Sequence, residues 1–74
     1  MKKITRETDI LSNAWSDMYN LYKNNYLPEN NDDWEVFFKS ASDICNRYQN
    51  NTLVCGIISV ILSYAEERKK KESE

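Results

Sequence analysis

Histidine is absent from this 74-residue chain, and glycine and proline occur only once each. Without histidine, the chain lacks the side chain that most often acts as a general base near neutral pH. A single glycine excludes the glycine-rich loops that bind phosphate groups. The serines have no evident base beside them in the sequence. We therefore predict no catalytic residue, no cofactor site and no small-molecule ligand, and the chain is not expected to be an enzyme.

Cysteine is also scarce, with only Cys45 and Cys55 and no CxxC spacing between them. Because zinc sites need such a spacing, no metal site is predicted. A Cys45–Cys55 disulfide would require an oxidising compartment, but residues 1–9 lack the apolar core of a secretory signal. We expect a cytoplasmic protein in which both thiols are reduced and act as small core residues.

An excess of positive charge and a long apolar run are both missing. Ten basic residues against 12 acidic ones give a net charge of −2. This balance gives no electrostatic reason to expect a nucleic-acid partner. Residues 52–65 carry no charge, but they are fewer than the roughly 20 apolar residues that span a bilayer. We therefore expect no insertion into a membrane.

Residues 29–33 read ENNDD and place three acidic side chains close together. They lack the alternating ligand positions and the central glycine of an EF-hand calcium loop. Acidic side chains are also favoured at a helix start, where they meet the positive end of the helix dipole. We interpret this stretch as a helix start without an ion.

The sequence does contain helical periodicity, in three segments separated by asparagine pairs. Apolar residues at spacings of three and four predict a first helix over about 8–25. Thr8 or Thr5 is the expected cap of this helix, and Pro28 closes the segment.

A second apolar stripe predicts a helix over about 33–49. Asp32 and Glu35 stand three residues apart and resemble a capping box at its start. A third helix is predicted over about 52–70, capped by Asn51 or Thr52, with cations in its last turn.

Three helices joined by short connections predict an all-α fold, an antiparallel three-helix bundle. We expect one domain, residues 1–74, with frayed ends at about 1–6 and 70–74. The predicted core consists of Leu11, Trp15, Met18, Tyr22, Trp34, Phe37, Phe38, Ala41, Ile44, Cys45, Val54, Ile57, Ile58 and Ile61.

The third helix carries more apolar surface than two neighbours of this size would cover, since its apolar arc spans roughly 220° of a helical wheel. Three explanations stay open. The surplus lies deep between the other helices, it meets a second copy in a homodimer, or it docks another protein. We predict a non-catalytic protein interaction module, with self-association as the first hypothesis. The predicted partner interface consists of Leu53, Val60, Tyr64 and Leu62, with Leu62 on the less favoured flank.

Three stretches, AW…LYKNNY, DDWEVFFKSASDICNRYQNN and ILSYAEERKKK, resemble a group of small uncharacterised proteins of Gram-positive bacteria. Members of that group are often associated with prophage-like and other mobile elements. The resemblance covers roughly residues 10–70, and it implies a cytoplasmic, all-helical protein of unknown activity. It brings no functional residues with it.

An alternative function is a small nucleic-acid-associated accessory protein of a mobile element, acting through the basic run Arg68 to Lys71. Two features disfavour it. A DNA-recognition helix needs polar or basic residues near its start, whereas residues 53–57 read LVCGI. The basic run is also flanked by glutamates, as is usual for a solvated helix end.

Overall fold

The computed structural model describes residues 1–72 and contains three α-helices within them. Helix α1 spans Ile10–Asn24, α2 spans Asn31–Arg47 and α3 spans Thr52–Glu72. All three pairs of helices are in contact. The predicted all-α three-helix bundle is therefore confirmed.

Contacts between the helix ends show the direction of each helix. The Tyr48 hydroxyl, just past the end of α2, donates to the carbonyl oxygen of Asn13 in the first half of α1 at 3.2 Å, so these two helices run antiparallel. Tyr22, near the end of α1, packs against Tyr64 in the second half of α3. Helices α1 and α3 are therefore parallel neighbours that are joined only through α2.

Helix α1 begins after Asp9 and not at the predicted caps, Thr8 or Thr5. The two Asp9 carboxylate oxygens accept hydrogen bonds from the backbone N–H groups of Leu11 at 3.2 Å and Ser12 at 3.3 Å. An N-cap side chain stabilises a helix in this way, because the first N–H groups have no partner within it. Thr5 and Thr8 instead close a turn, in which the Thr8 N–H donates to the Thr5 carbonyl.

Helix α2 begins two residues earlier than predicted, because Asn30 is its cap. The Asn30 side-chain oxygen accepts from the Asp33 N–H at 2.9 Å, and an Asp33 carboxylate oxygen accepts from the Glu29 N–H at 3.0 Å. This exchange resembles a capping box shifted towards the N-terminus. The predicted box that begins at Asp32 is wrong.

The end of α2 also differs from the prediction, since the helix ends at Arg47 and not at residue 49. Gln49 and Asn50 both have positive φ, 58° and 55°, and a left-handed residue terminates a helix. The Asn50 N–H then donates to the Cys45 carbonyl at 2.7 Å. The reversal of the chain therefore occupies few residues between α2 and α3.

Asn51 caps α3, which selects one of the two predicted caps. Its side-chain oxygen accepts from the N–H groups of Leu53 at 3.0 Å and Val54 at 3.2 Å. Thr52 is the first residue of the helix. The start of α3 is therefore fixed next to the turn that follows α2.

Helix α3 is the longest of the three and continues two residues beyond the predicted end, to Glu72. Residues 70–72, predicted as part of a frayed end, are helical, and residues 73–74 lie outside the described part of the chain. Residues 1–6 form no helix, so fraying at both ends stays a prediction. Within the described range, no helix has the length and apolar content needed to cross a bilayer.

The core is a narrow strip to which each helix contributes one buried alanine, namely Ala14, Ala41 and Ala65. Small side chains let helix axes approach closely, because the distance between axes depends on the residues at the contact. The buried core set is Ala14, Met18, Leu21, Phe37, Ala41, Ile44, Val54, Ile58 and Ala65.

Two residues predicted for the core lie at the surface. Trp15 is 60% exposed and Phe38 is 46% exposed. Both belong to the apolar stripe of their helix, so the strip that is buried is narrower than the stripe. The other predicted core residues are buried or half-buried, the half-buried ones being Leu11, Tyr22, Trp34, Cys45, Ile57 and Ile61.

Candidate functional site

An apolar groove lies between α1 and α3. Trp15 and Tyr19, one turn apart on α1, form one wall, and Ile57 and Ile61, one turn apart on α3, form the other. The buried side chain of Met18 lies at the base. The groove holds a cleft of about 140 Å³. No aspartate, glutamate, lysine or arginine side chain lines this cleft, so it suits apolar or aromatic groups.

Three of the four predicted interface residues are exposed beside this groove. Leu53 and Tyr64 are each 47% exposed, and Val60 is 68% exposed. They share one edge of α3 with Ile57, since their spacings of three and four place them on one side of a helix. Leu62 lies on the opposite flank and packs against the core. Contact of these residues with a partner stays a prediction.

The exposed residues of α3 and the groove form one continuous surface, which we call the apolar face. The sequence did not reveal its α1 half, because Trp15 was expected in the core. The available signal was the spacing of Trp15 and Tyr19, which places both at the edge of the α1 stripe. The apolar face consists of Trp15, Tyr19, Leu53, Ile57, Val60, Ile61 and Tyr64.

Aromatic rings and cations border the apolar face at the end where α1 stops. The ring of Tyr22 lies 6.4 Å from that of Tyr64, centre to centre. The Arg68 guanidinium carbon lies 3.9 Å from the centre of the Tyr26 ring and 5.7 Å from that of Tyr64. Its hydrogen bond with Tyr64 raises the pKa of Arg68. Arg68 thus links α3 to the end of α1 through cation–π contacts.

The groove between α1 and α2 is polar. The Tyr48 hydroxyl donates to an Asp17 carboxylate oxygen at 2.6 Å, and an Arg47 nitrogen lies 3.0 Å from the same oxygen. The Tyr48 hydrogen bond, followed by Arg47, lowers the pKa of Asp17, and that same bond raises the pKa of Tyr48. The remaining lining is mostly amide, hydroxyl and carboxylate groups, from Asn20, Asn24, Asn25, Ser40 and Asp43.

Cys45 on α2 and Cys55 on α3 face each other as free thiols. Burial, and then hydrogen bonding with Cys55, raises the pKa of Cys45 to about 11. Because the thiolate is the nucleophile, a thiol with this pKa reacts slowly at neutral pH. These contacts favour a packing role for the two cysteines.

The acidic turn 29–33 contributes to the start of α2, where Asp33 accepts the Glu29 N–H. Its Asp32 and Asp33 lie in the first turn of the helix, at the positive end of the helix dipole. Within residues 1–72, no three cysteine, aspartate or glutamate side chains are grouped as a metal ion would require.

Comparisons of the chain with protein families, with curated proteins and with solved structures give no match. The resemblance to small helical proteins of mobile elements therefore stays a prediction. Any proposal about function must be argued from the geometry of the bundle.

Proposed function

We propose that this chain is a non-catalytic interaction module that self-associates through the apolar face. The observation that carries the proposal is the exposure of Trp15, Tyr19 and Val60, each more than half accessible to water on the same side of the bundle. Isolated apolar side chains on a surface are ordinary, whereas a contiguous group that includes two aromatic rings is typical of an interaction site.

The area of the apolar face suits the centre of a protein interface. An aromatic side chain carries about 150–250 Å² of surface. The half-exposed residues of the apolar face therefore expose on the order of 500 Å² together. A standard interface buries about 800 Å² per partner, of which the centre is apolar and the rim polar. The cations Lys23 and Arg68 lie against tyrosine rings at one end of the face and supply part of such a rim.

A second copy is the partner that the size of the chain favours. A domain of this length buries only about 60% of the surface of its unfolded chain, so its stability margin is small. Among residues 1–72, the buried hydrophobic core consists of nine residues. Covering the apolar face in a dimer would add buried area without adding residues. A two-fold dimer is also the commonest assembly of identical chains.

The test is the solution mass of the wild-type protein and of two matched variants, measured by light scattering. The wild type should give about twice the chain mass of 8.8 kDa at micromolar concentration. Val60→Glu should give the chain mass, because an unpaired buried charge costs about 3 kcal/mol or more, over a hundredfold in affinity.

Val36→Glu is the matched control, since Val36 is an exposed valine on α2 outside the apolar face. It should leave the mass doubled, and both variants should keep their helical circular dichroism. A wild type that remains monomeric would overturn the proposal. Salt-sensitive retention of duplex DNA by that monomer would instead support the nucleic-acid alternative.

A further inference from the structure

We infer that Val60 of each copy fills the α1/α3 cleft of the other copy, with the two α3 helices antiparallel across a two-fold axis. This inference rests on the proposed self-association and names the contact that produces it. The cleft would then be complete only in the dimer, since its occupant comes from the second chain.

The size of the cleft matches a small apolar group. An apolar cavity of about 150 Å³ in a protein interior accommodates a benzene-sized molecule. The cleft, at about 140 Å³, is close to this size and is walled by Trp15, Tyr19, Ile57 and Ile61. Val60 is the most exposed aliphatic side chain on the described helices. The same face therefore presents a recess and a projection suited to it, as a self-complementary interface requires.

The positions of Val60 and the cleft along α3 also agree. Ile57 and Ile61 flank a point one residue before Val60. Because a helix rises about 1.5 Å per residue, the projection and the centre of the recess stand at nearly the same level. A two-fold axis close to this level, between residues 58 and 59, brings each Val60 opposite Ile57 in the wall of the cleft of the other copy.

The antiparallel arrangement follows from the remaining side chains of the face. When Val60 lies opposite Ile57 of the second copy, Leu53 lies opposite Tyr64, because both pairs are centred between residues 58 and 59. Thr52, the first residue of α3, then lies opposite Ala65 of the second copy, so the basic run 68–71 extends past the start of that helix and away from its basic run. A parallel arrangement would bring the basic runs of both copies together, and like charges repel.

The experiment uses the wild-type protein, so it does not depend on a variant that folds. Protein with ¹³C-labelled valine and leucine methyl groups is mixed with an equal amount of unlabelled protein, at a concentration where the mass is doubled. Isotope-filtered nuclear Overhauser spectra then report only contacts between copies. We expect cross-peaks from the Val60 methyls to the Trp15 indole and from the Leu53 methyls to the Tyr64 ring. Val36 and the buried Val54 are internal controls that should show none.

The outcomes separate this inference from the proposed function. A doubled mass with Val60 cross-peaks to other residues, or with cross-peaks from Val36, overturns the docking of Val60 while self-association stands. Cross-peaks between Leu53 and Leu53 of the second copy would indicate the parallel arrangement and also overturn it. A chain that is monomeric at every concentration overturns both.

Discussion

The two grooves that flank α1 differ in how their side chains find partners. In the α1/α2 groove, the Asp17 carboxylate accepts from Tyr48 and pairs with Arg47, so its charge is compensated within the chain. In the α1/α3 groove, Trp15 and Tyr19 are 60% and 53% exposed to water. One edge of the same helix is thus paired within the chain, whereas the other is exposed to water.

The difference separates two kinds of mutational effect. A change in the polar groove removes an intramolecular hydrogen bond and should lower the free energy of unfolding of the monomer. A change on the apolar face removes surface that is already exposed in the monomer, so it should act mainly on the dissociation constant. Each of the following variants tests this separation, from the largest expected effect to the smallest.

Trp15→Ala should weaken self-association most. Truncation of a central aromatic residue of an interface costs about 2–4 kcal/mol, which is a rise in the dissociation constant of about 30- to 1,000-fold. Sedimentation equilibrium measures the constant, and thermal unfolding measures the fold. Phe38→Ala is the control, because Phe38 is a half-exposed aromatic residue on α2 outside the apolar face. Equal effects of the two changes would contradict the division between grooves.

Tyr48→Phe should lower the free energy of unfolding by about 1 kcal/mol at neutral pH, since it removes a hydrogen bond to a carboxylate that is partly accessible to solvent. The dissociation constant should not change. Chemical denaturation at a protein concentration below the dissociation constant measures the stability of the monomer alone. A variant that weakens the dimer without affecting the monomer would show that the polar groove also contacts the partner.

The hydrogen bond between Tyr48 and Asp17 should also make the free energy of unfolding depend on pH. The pKa of Asp17 is lower in the folded chain than its ordinary value of 3.8, so its contribution is fully present above that value. The contribution is lost as pH falls through the folded pKa, because the protonated carboxyl group no longer carries the negative charge that Tyr48 and Arg47 stabilise. Stability of the wild type should therefore fall more steeply in acid than that of Tyr48→Phe.

Gly56→Ala should have the smallest effect, and it is stabilising. Gly56 lies inside α3, where a methyl group would meet no other atom within 4 Å. Alanine favours a helix over glycine by about 0.5–1 kcal/mol, so the midpoint of unfolding should rise slightly. The dissociation constant should change by less than about twofold. A rise of more than tenfold would show that the backbone of the partner approaches α3 at Gly56, beyond the edge of the apolar face.

The three helices could be predicted because each carries an apolar stripe of helical period, and this signal is local. Their exact ends could not, because several polar residues near each end are suitable caps. Asp9 and Asn30, and not Thr8 and Asp32, are the caps, because they have the backbone geometry of a cap, which cannot be read from the sequence. Gln49 and Asn50 likewise adopt positive φ angles although neither is glycine, so the residue types did not indicate this conformation.

The candidate site could be predicted only in part. The excess apolar surface of α3 was visible as an arc too wide for two neighbours, and the structure leaves Leu53, Val60 and Tyr64 exposed. The contribution of α1 depends on how closely the helices approach. The buried residues of α1 are Ala14, Met18 and Leu21, and a helical wheel does not show that Trp15, beside Ala14, is left uncovered.

Because α1 and α3 pack in parallel, the proposed self-association depends on the last helix having packed against the first. Because these helices are joined only through α2, the walls of their groove come from opposite ends of the chain. Such distant pairings form late, since a long loop must close first. A chain cut short before α3, or still being synthesised, would carry Trp15 without Ile57 or Val60. The proposed self-association therefore requires that all three helices be present and packed.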